Sequence, residues 1–345
     1  NTPRLDYSTG AEAFLLEPER RNMVRYSEDL LNWSNSGITL TSGLISPSGN
    51  NSAFIVLSGG GSSNRMVLPT SSLSVSSEYS VSAFVKKVGT DNKATLNFET
   101  TETGRQGVSF NFDTKILSNA NGSTTNREVQ ELSNGWFRIS YNFNTDVTVS
   151  SPNIQLNRSN PNKSALYWGM QVESSSFKTS YIPNNGEANG VTRNQERCND
   201  ATPVINSEEG VLYAEISALA NDGTIRYLGL NDGSNDNRVV ILYHSNNNNI
   251  RGILSSGGTK YVDVTSDVTS VLDFHKVAIR YSSSEFSLWI DGVEVATDTS
   301  LNAPIGLNNL DFSINGGGAF FGNTKGLKVY PKALSDVELQ DLTTI

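Results

Sequence analysis

The chain has 345 residues, enough for two medium domains, and its 36% hydrophobic and 9% aromatic content suits packed cores rather than a disordered tail. No run approaches the ~18–20 apolar residues of a membrane-spanning helix, and no basic stretch followed by an apolar one opens the sequence as a secretory signal would. The formal net charge is −9, with 17 Lys and Arg against 18 Asp and Glu over residues 1–200 and 9 against 17 over 201–345, so nucleic acid and anionic lipid surfaces are poor partners.

A strongly sulfated polysaccharide is disfavoured for the acidic second half on the same ground. The single Cys198 excludes an intrachain disulfide framework and a Cys-based zinc site. Because the chain opens on Asn1 rather than Met, upstream sequence is expected.

The first segment, "LLEPERRNMVRYSEDLLNW", gathers charges and apolar residues in a chain otherwise rich in Ser, Asn, Thr and Gly. Its last part predicts a short helix capped by Ser27, with Glu28 and Asp29 in the first turn. Leu15, Leu16, Met23 and Val24 are expected as anchors, and Leu30, Leu31 and Trp33 as plugs for a core. Arg20, Arg21 and Arg25 have Glu12, Glu17, Glu19 and Glu28 as local ion-pair partners, which favours a structural lid over a docking surface or an active site.

Period-two alternation then marks strands in "YSVSAFVKK", "ATLNFET", "GVSFNFD" and "WFRISYNF", with turn clusters such as "SNANGS" between them. The polar, aperiodic stretch Pro183–Pro203 reads as a domain boundary near residue 200. A second strand series follows in "VLYAEISAL", "IRYLGLND", "RVVILYHS" and "HKVAIRY". In "SEFSLWIDGVEVATD", Asp291-Gly292 predicts a tight hairpin turn. Helical periodicity returns only at Ser335–Leu342. The fold class expected is all-β, two antiparallel β-sandwich (jelly-roll) domains in tandem with short helical pieces. The divisions expected are 1–34 as a lead-in packed on the first sandwich, 35–198 as that sandwich, and 199–345 as the second.

"RLDYSTGAEAFLLEPERRNMVRYSEDLLNW", together with "YWGMQVESSSFKTSYIPNNGEANGVTR" at Tyr167–Arg193, resembles the two ends of a module common in bacteriophage tail and tail-fibre proteins. Its closing signature is a Trp-Gly-x-Gln-x-Glu strand and a "TSYIP…TR" tail. The second half, through "FHKVAIRYSSSEFSLWIDGVEVA" and "FFGNTKGLKVYPKALSDVEL", resembles a laminin-G/concanavalin-A-like lectin sandwich. The resemblance implies a carbohydrate-binding-like jelly roll followed by a lectin domain, display on a virion outside the host cell, contact with a host surface glycan, other tail proteins as partners, and a homotrimer.

The residues themselves carry little catalytic chemistry. A retaining glycosidase needs two carboxyls about 5–5.5 Å apart. Glu215 and Asp222 are separated by an odd number of positions, as are Asp291 and Glu294, so alternation turns each pair to opposite faces. His275 opens a strand and reads as structural, whereas His244 beside Tyr243 is the one candidate lyase base. No nucleophile elbow, P-loop or dinucleotide fingerprint occurs, and the Gly316-Gly317-Gly318 run lacks a following helix.

Trp136, Trp168 and Trp289 sit in strands and read as core. Glycan binding therefore falls to loop tyrosines and amides. The candidate set is Asn231, Asp232, Asn235, Asp236 and Asn237 in "NDGSNDN", with Tyr227, Tyr243, His244, Phe320 and Asn323, the first loop being grouped with "NGGGAFFGN" on one rim. Asp232 and Asp236 are the candidate calcium ligands, against the reading that this loop is simply a tight turn. Three functions stand: a non-catalytic receptor-binding module, a lyase-type phage depolymerase, and a structural decoration or adaptor module.

Overall fold

The computed structural model describes the chain apart from residues 1–3, 8–9, 71–72, 75–76, 101–103, 146–151, 159, 245–247 and 314–317. The Gly316-Gly317 pair and the first two residues of the four-asparagine loop lie outside the described residues. The architecture is antiparallel β, with one α-helix, Asp336–Thr343, among the described residues. No helix among them is long and apolar enough to cross a membrane. The chain forms two compact units, Glu19–Asn194 and a second built from Asn1–Pro18 with Gln195–Ile345.

The first unit is a sandwich of two six-stranded sheets. One runs in the order Ile116–Asn121, Gly104–Asn111, Lys93–Thr100, Asn153–Leu156, Arg65–Pro69, Ser34–Ser36. The other runs Thr125–Glu131, Trp136–Thr145, Ser77–Lys87, Ser164–Ser174, Ala53–Ser58, Ile38–Leu44. Alternation explains the core between them. Phe137, Ile139, Tyr141 and Phe143 of one sheet meet Leu96, Phe98, Val108 and Phe110 of the other, all buried.

The opening and closing segments of this unit clasp each other. Arg20–Asn22 pairs with Val191–Arg193, and Tyr26 bridges to Asn185. The strand Ser164–Ser174 pairs with Ala53–Ser58 only as far as Tyr167; beyond a bulge at Trp168–Gln171 its backbone meets the opening segment instead, through Met23 N to Val172 O (2.9 Å) and Met170 N to Ser27 O (3.0 Å). At the centre of this switch lies Asn22, fully buried. Its Nδ2 donates to Met170 O (3.1 Å) and Ile182 O (2.8 Å), and its Oδ1 accepts from Val24 N (3.0 Å) and Val172 N (3.3 Å).

Each residue of the Trp-Gly-x-Gln-x-Glu signature has a task in this clasp. Trp168 lies 4.7 Å from the Tyr181 ring and 5.1 Å from Phe84 on the outer face of the sheet. Gly169 takes φ +60°, and a Cβ there would come within 2.9 Å of Phe84. Gln171 Oε1 accepts from Ile182 N (2.7 Å), and Glu173 accepts from Thr179 N (3.0 Å) and the Thr179 hydroxyl. The "TSYIP" tail is thus strapped across the outer face of the sheet.

The opening segment differs from the expectation in three respects. The helical piece is a single 3-10 turn, Leu30–Asn32, capped by Asp29, whose Oδ1 accepts from Leu31 N. Ser27 has another use, its hydroxyl lying 2.6 Å from Tyr181 Oη and accepting from Asn184 N (2.8 Å). Leu31 is 70% exposed, because a one-turn helix presents only Leu30 and the following Trp33 to the core. Arg25 Nε donates to Gly186 O, Arg20 lies over Phe177, and Glu17 pairs with Arg4, so these groups also hold backbone, a ring and an arginine outside the local set expected.

In the second unit a seven-stranded sheet runs Arg4–Asp6, Ala13–Leu16, Gly322–Tyr330, Gly210–Ala218, His275–Tyr281, Phe286–Ile290, Val293–Asp298. It faces a five-stranded sheet ordered Thr259–Asp267, Asn249–Ser256, Arg238–Tyr243, Arg226–Asn231, Asn309–Asp311. Residues 1–18 belong here rather than with the first sandwich: Phe14, Leu15 and Leu16 pair with Thr324, Asn323 and Gly322, and Leu16 enters the core.

The predicted hairpin forms, with φ +50° at Asp291 and +83° at Gly292, both of which a type I′ turn requires. The helix Asp336–Thr343 starts on a capping box between Ser335 and Glu338, and Leu339 covers Trp289 and Tyr213 on the outer face of the larger sheet.

Two substitutions test the clasp. Asn22→Ala strands two carbonyls and two N–H groups in the interior and is expected to destabilise the first unit by roughly 2–3 kcal/mol in urea unfolding. Gly169→Ala forces a Cβ into an aromatic contact at positive φ, and a loss of roughly 1–3 kcal/mol is expected. Unchanged midpoints for both would contradict the account of the clasp.

Candidate functional site

The "NDGSNDN" loop is a self-bonded turn. Asn231 Nδ2 donates to Asp311 Oδ2 (2.8 Å), and its Oδ1 accepts from Gly233 N (2.8 Å). Both Asp232 oxygens are used, Oδ1 by Ser234 and Oδ2 by Asn237 Nδ2 (2.8 Å). Burial acts to raise the Asp232 pKa, but these hydrogen bonds outweigh it and hold the carboxyl below its usual range. Asn237 Oδ1 accepts from Gly257 N and Ile305 N, and Asn235 accepts from Arg238. Asp236 is exposed, its backbone oxygen accepting from Gly258 N. Among the described residues no three His, Cys, Asp or Glu side chains converge as metal ligands would, Asp232 and Asp236 included.

The remaining candidates lie elsewhere, and mostly inward. Tyr227 and Gly318–Asn323 sit toward the far end of the strand Arg226–Asn231 from this loop: Tyr227 bridges to Ala319, whereas Asn231 pairs with Asn309 and Arg238. The two loops therefore do not share a rim, contrary to the grouping drawn from the sequence. Tyr243 and Phe320 stack at 5.8 Å inside the core, 2% and 1% exposed, so neither offers a face to a sugar. Alternation accounts for this, since Tyr243 shares the inward face with Val239 and Ile241. Asn323 is buried in the strand Gly322–Tyr330, and Tyr227 packs against Val240 and Leu242. His244 is half-buried beside a loop outside the described residues. All four tryptophans are buried.

What the second unit does offer is a cleft of about 550 Å³ between the edge strands Thr259–Asp267 and Val293–Asp298. Val268, Val293 and Val295 give it an apolar side, and Asp267, Thr269 and Asp291 a polar one. That mixture suits a saccharide, whose C–H faces and hydroxyls need opposite partners. At its base His275 Nδ1 lies 2.6 Å from Asp291 Oδ2, and Nε2 lies 2.9 Å from Ser270 O. Asp291 Oδ1 accepts from Lys276 N (2.9 Å). Both ring nitrogens and both carboxylate oxygens are thus engaged, and the pair locks the hairpin turn to the start of the neighbouring strand. Sequence reading missed this cleft because its walls come from two sheets whose edges are distant in the chain.

The acidic spacing considered for hydrolysis resolves into separate parts. Glu215 lies within the strand Gly210–Ala218, while Asp222, beyond its end, accepts from Arg226 Nη2 (2.9 Å). Burial pushes the Asp222 carboxyl up, yet the Arg226 guanidinium and the Thr224 hydrogen bonds pull it below the ordinary range. A depressed folded pKa gives stability that is present above the unfolded value near ~3.9 and lost as pH falls through the folded one. The melting temperature of the second unit should therefore drop more steeply on acidification below about pH 4 in the wild type than in Asp222→Asn. Equal slopes would contradict the pairing.

Residues 212–340 match the Laminin_G_3 family, described as the concanavalin A-like lectin/glucanases superfamily. No curated protein matches the chain. Among solved structures, the chain is similar to the CBM40 of a Ruminococcus gnavus IT-sialidase, at 20% identity over 40% of this chain and 84% of that one, with a TM-score of 0.35. It is similar to domain 4 of AbnA, a GH43 extracellular arabinanase from Geobacillus stearothermophilus, in complex with arabinotriose, at 15% identity over 48% and 83%, with a TM-score of 0.37. Domains LG4-5 of the mouse laminin alpha1 chain match at 10% identity over 81% and 91%, with a TM-score of 0.29. The stretch from Leu212 to Gln340 is thus similar to laminin-G-type concanavalin-A-like lectin domains.

Proposed function

We propose that the protein is a non-catalytic receptor-binding module of a phage tail or tail fibre, acting outside the host cell, whose second unit binds a host surface glycan. The observation that carries the glycan reading is the lectin/glucanase-superfamily match over residues 212–340. The cleft beside Val293 and Asp291 is the place for it, because it alone among the features described above joins apolar surface to accessible hydroxyl and carboxylate groups. The phage assignment rests on the two ends of the tail-module signature, which the structure brings together in one clasp. A homotrimer fits the role, since linked copies of one weak site bind a polymer at high effective concentration. The non-catalytic reading is favoured by the engagement of His275 and Asp291 in hydrogen bonds of their own.

A panel of purified bacterial capsular and O-antigen polysaccharides tests this with the full chain, binding and polymer length being followed together. Binding with the polymer left intact is expected, and Val295→Arg, which fills the cleft, should weaken it about tenfold while leaving the melting temperature unchanged. Shortened polymer would contradict the non-catalytic reading, and wild-type binding untouched by Val295→Arg would remove the cleft from it. Light scattering should give three times the chain mass.

A further inference from the structure

The first unit carries a second feature, on the outward face of its sheet Ile116–Asn121 to Ser34–Ser36. Along Lys93–Thr100 the residues Leu96 and Phe98 point inward, so Asn97 and Glu99 point outward. Register places Arg105 directly opposite Glu99 on one side and Asn153 opposite it on the other, with Gln155 opposite Asn97. Arg158 Nη1 reaches Glu99 Oε2 (3.3 Å) and Gln155 Oε1 (3.1 Å), and Arg105 Nε lies 3.5 Å from Glu99 Oε1. Arg65 opens the adjoining strand.

Two arginines, Arg105 and Arg158, therefore flank one carboxylate, with Arg65 near enough to repel Arg158, in a half of the chain whose charges nearly cancel. The side chains of Glu99, Arg105 and Arg158 are 28%, 22% and 14% exposed, so the cluster is held in place yet open to solvent. Its repulsion is real: burial comes first, but Arg105 and Arg65 also depress the Arg158 pKa, against the pull of Glu99. The Nε groups of Arg65 and Arg158 are buried without a hydrogen-bond partner among the described residues. An anion on this face would relieve the repulsion.

We propose that this sheet face is a second binding site, for a carboxylate-bearing saccharide such as a uronic acid polymer. Arg105 and Arg158 take the carboxylate, as Arg does in planar, bidentate pairs. The amide of Asn153 takes a ring hydroxyl; Gln155, 1% exposed, is already engaged by Glu99 and Asn153 and braces the cluster. Glu99 orients both guanidinium groups and at the same time competes with the ligand, which sets the affinity low enough for release. This site lies in the first unit and does not rest on the reading of the second.

The test uses the full chain in affinity electrophoresis through polygalacturonate, with the carboxyl-reduced, neutral polymer as control. Retardation by the acidic polymer alone is expected, and the pair Arg105→Gln/Arg158→Gln should weaken it about tenfold. Glu99→Gln removes the competing charge and should tighten binding about threefold, an outcome that a merely structural role for Glu99 would not produce. Failure of the wild type to bind, equal binding of the neutral polymer, or an Arg variant that binds as the wild type while melting normally would each overturn the proposal. Val295→Arg should leave this retardation unchanged, which separates its failure from that of the cleft.

Discussion

One buried amide sets the plan of the first unit. Asn22 has no access to solvent, yet all its hydrogen-bonding capacity is used, and its four partners belong to its own segment, to the last long strand and to the closing tail. Burying an amide is favourable only when every such partner is present, so the three segments must assemble together or not at all. The bulge at Gly169 exists to meet this condition. It turns the strand away from Ala53–Ser58 and toward the opening segment, and the same turn puts Trp168 against Tyr181. The Trp-Gly-x-Gln-x-Glu strand is therefore a closure device, which ties the end of the first unit to the "RRN" at its start.

Much of this was legible in the sequence wherever a side chain's fate depends on its nearest neighbours. Alternation in "WFRISYNF" placed Phe137, Ile139, Tyr141 and Phe143 on one face, and the Asp291-Gly292 turn and the Ser335 helix start followed from local chemistry. Reading failed where the outcome depends on partners far along the chain. Leu15 and Leu16 look like anchors in any context, but only strand pairing decides that they serve the second unit. Tyr243 beside His244 looks like a rim, yet the strand carries Tyr243 inward to Phe320. Asparagines near "NDGSNDN" suggested a ligand set, whereas the loop consumes them itself. The arginine face could not be seen at all: Arg65 and Arg105 are placed by strand pairing, and Arg158 by the turn that follows Asn153–Leu156.

The two units present different chemistries. The second is acidic, and its cleft combines valines with hydroxyl and carboxylate groups, which favours a neutral or amphipathic sugar surface. The first sets two guanidinium groups against one carboxylate on an outward sheet face, which favours an acidic one.

Hydrogen exchange of the full chain, read by mass spectrometry with polygalacturonate and then with a neutral polysaccharide from the binding panel, tests this division most directly. Slowed exchange over residues 96–107 and 153–158 with the acidic polymer, and over 262–270 and 289–296 with the neutral one, is the result predicted. Protection of residues 231–237 instead, or no change with either polymer, would contradict it.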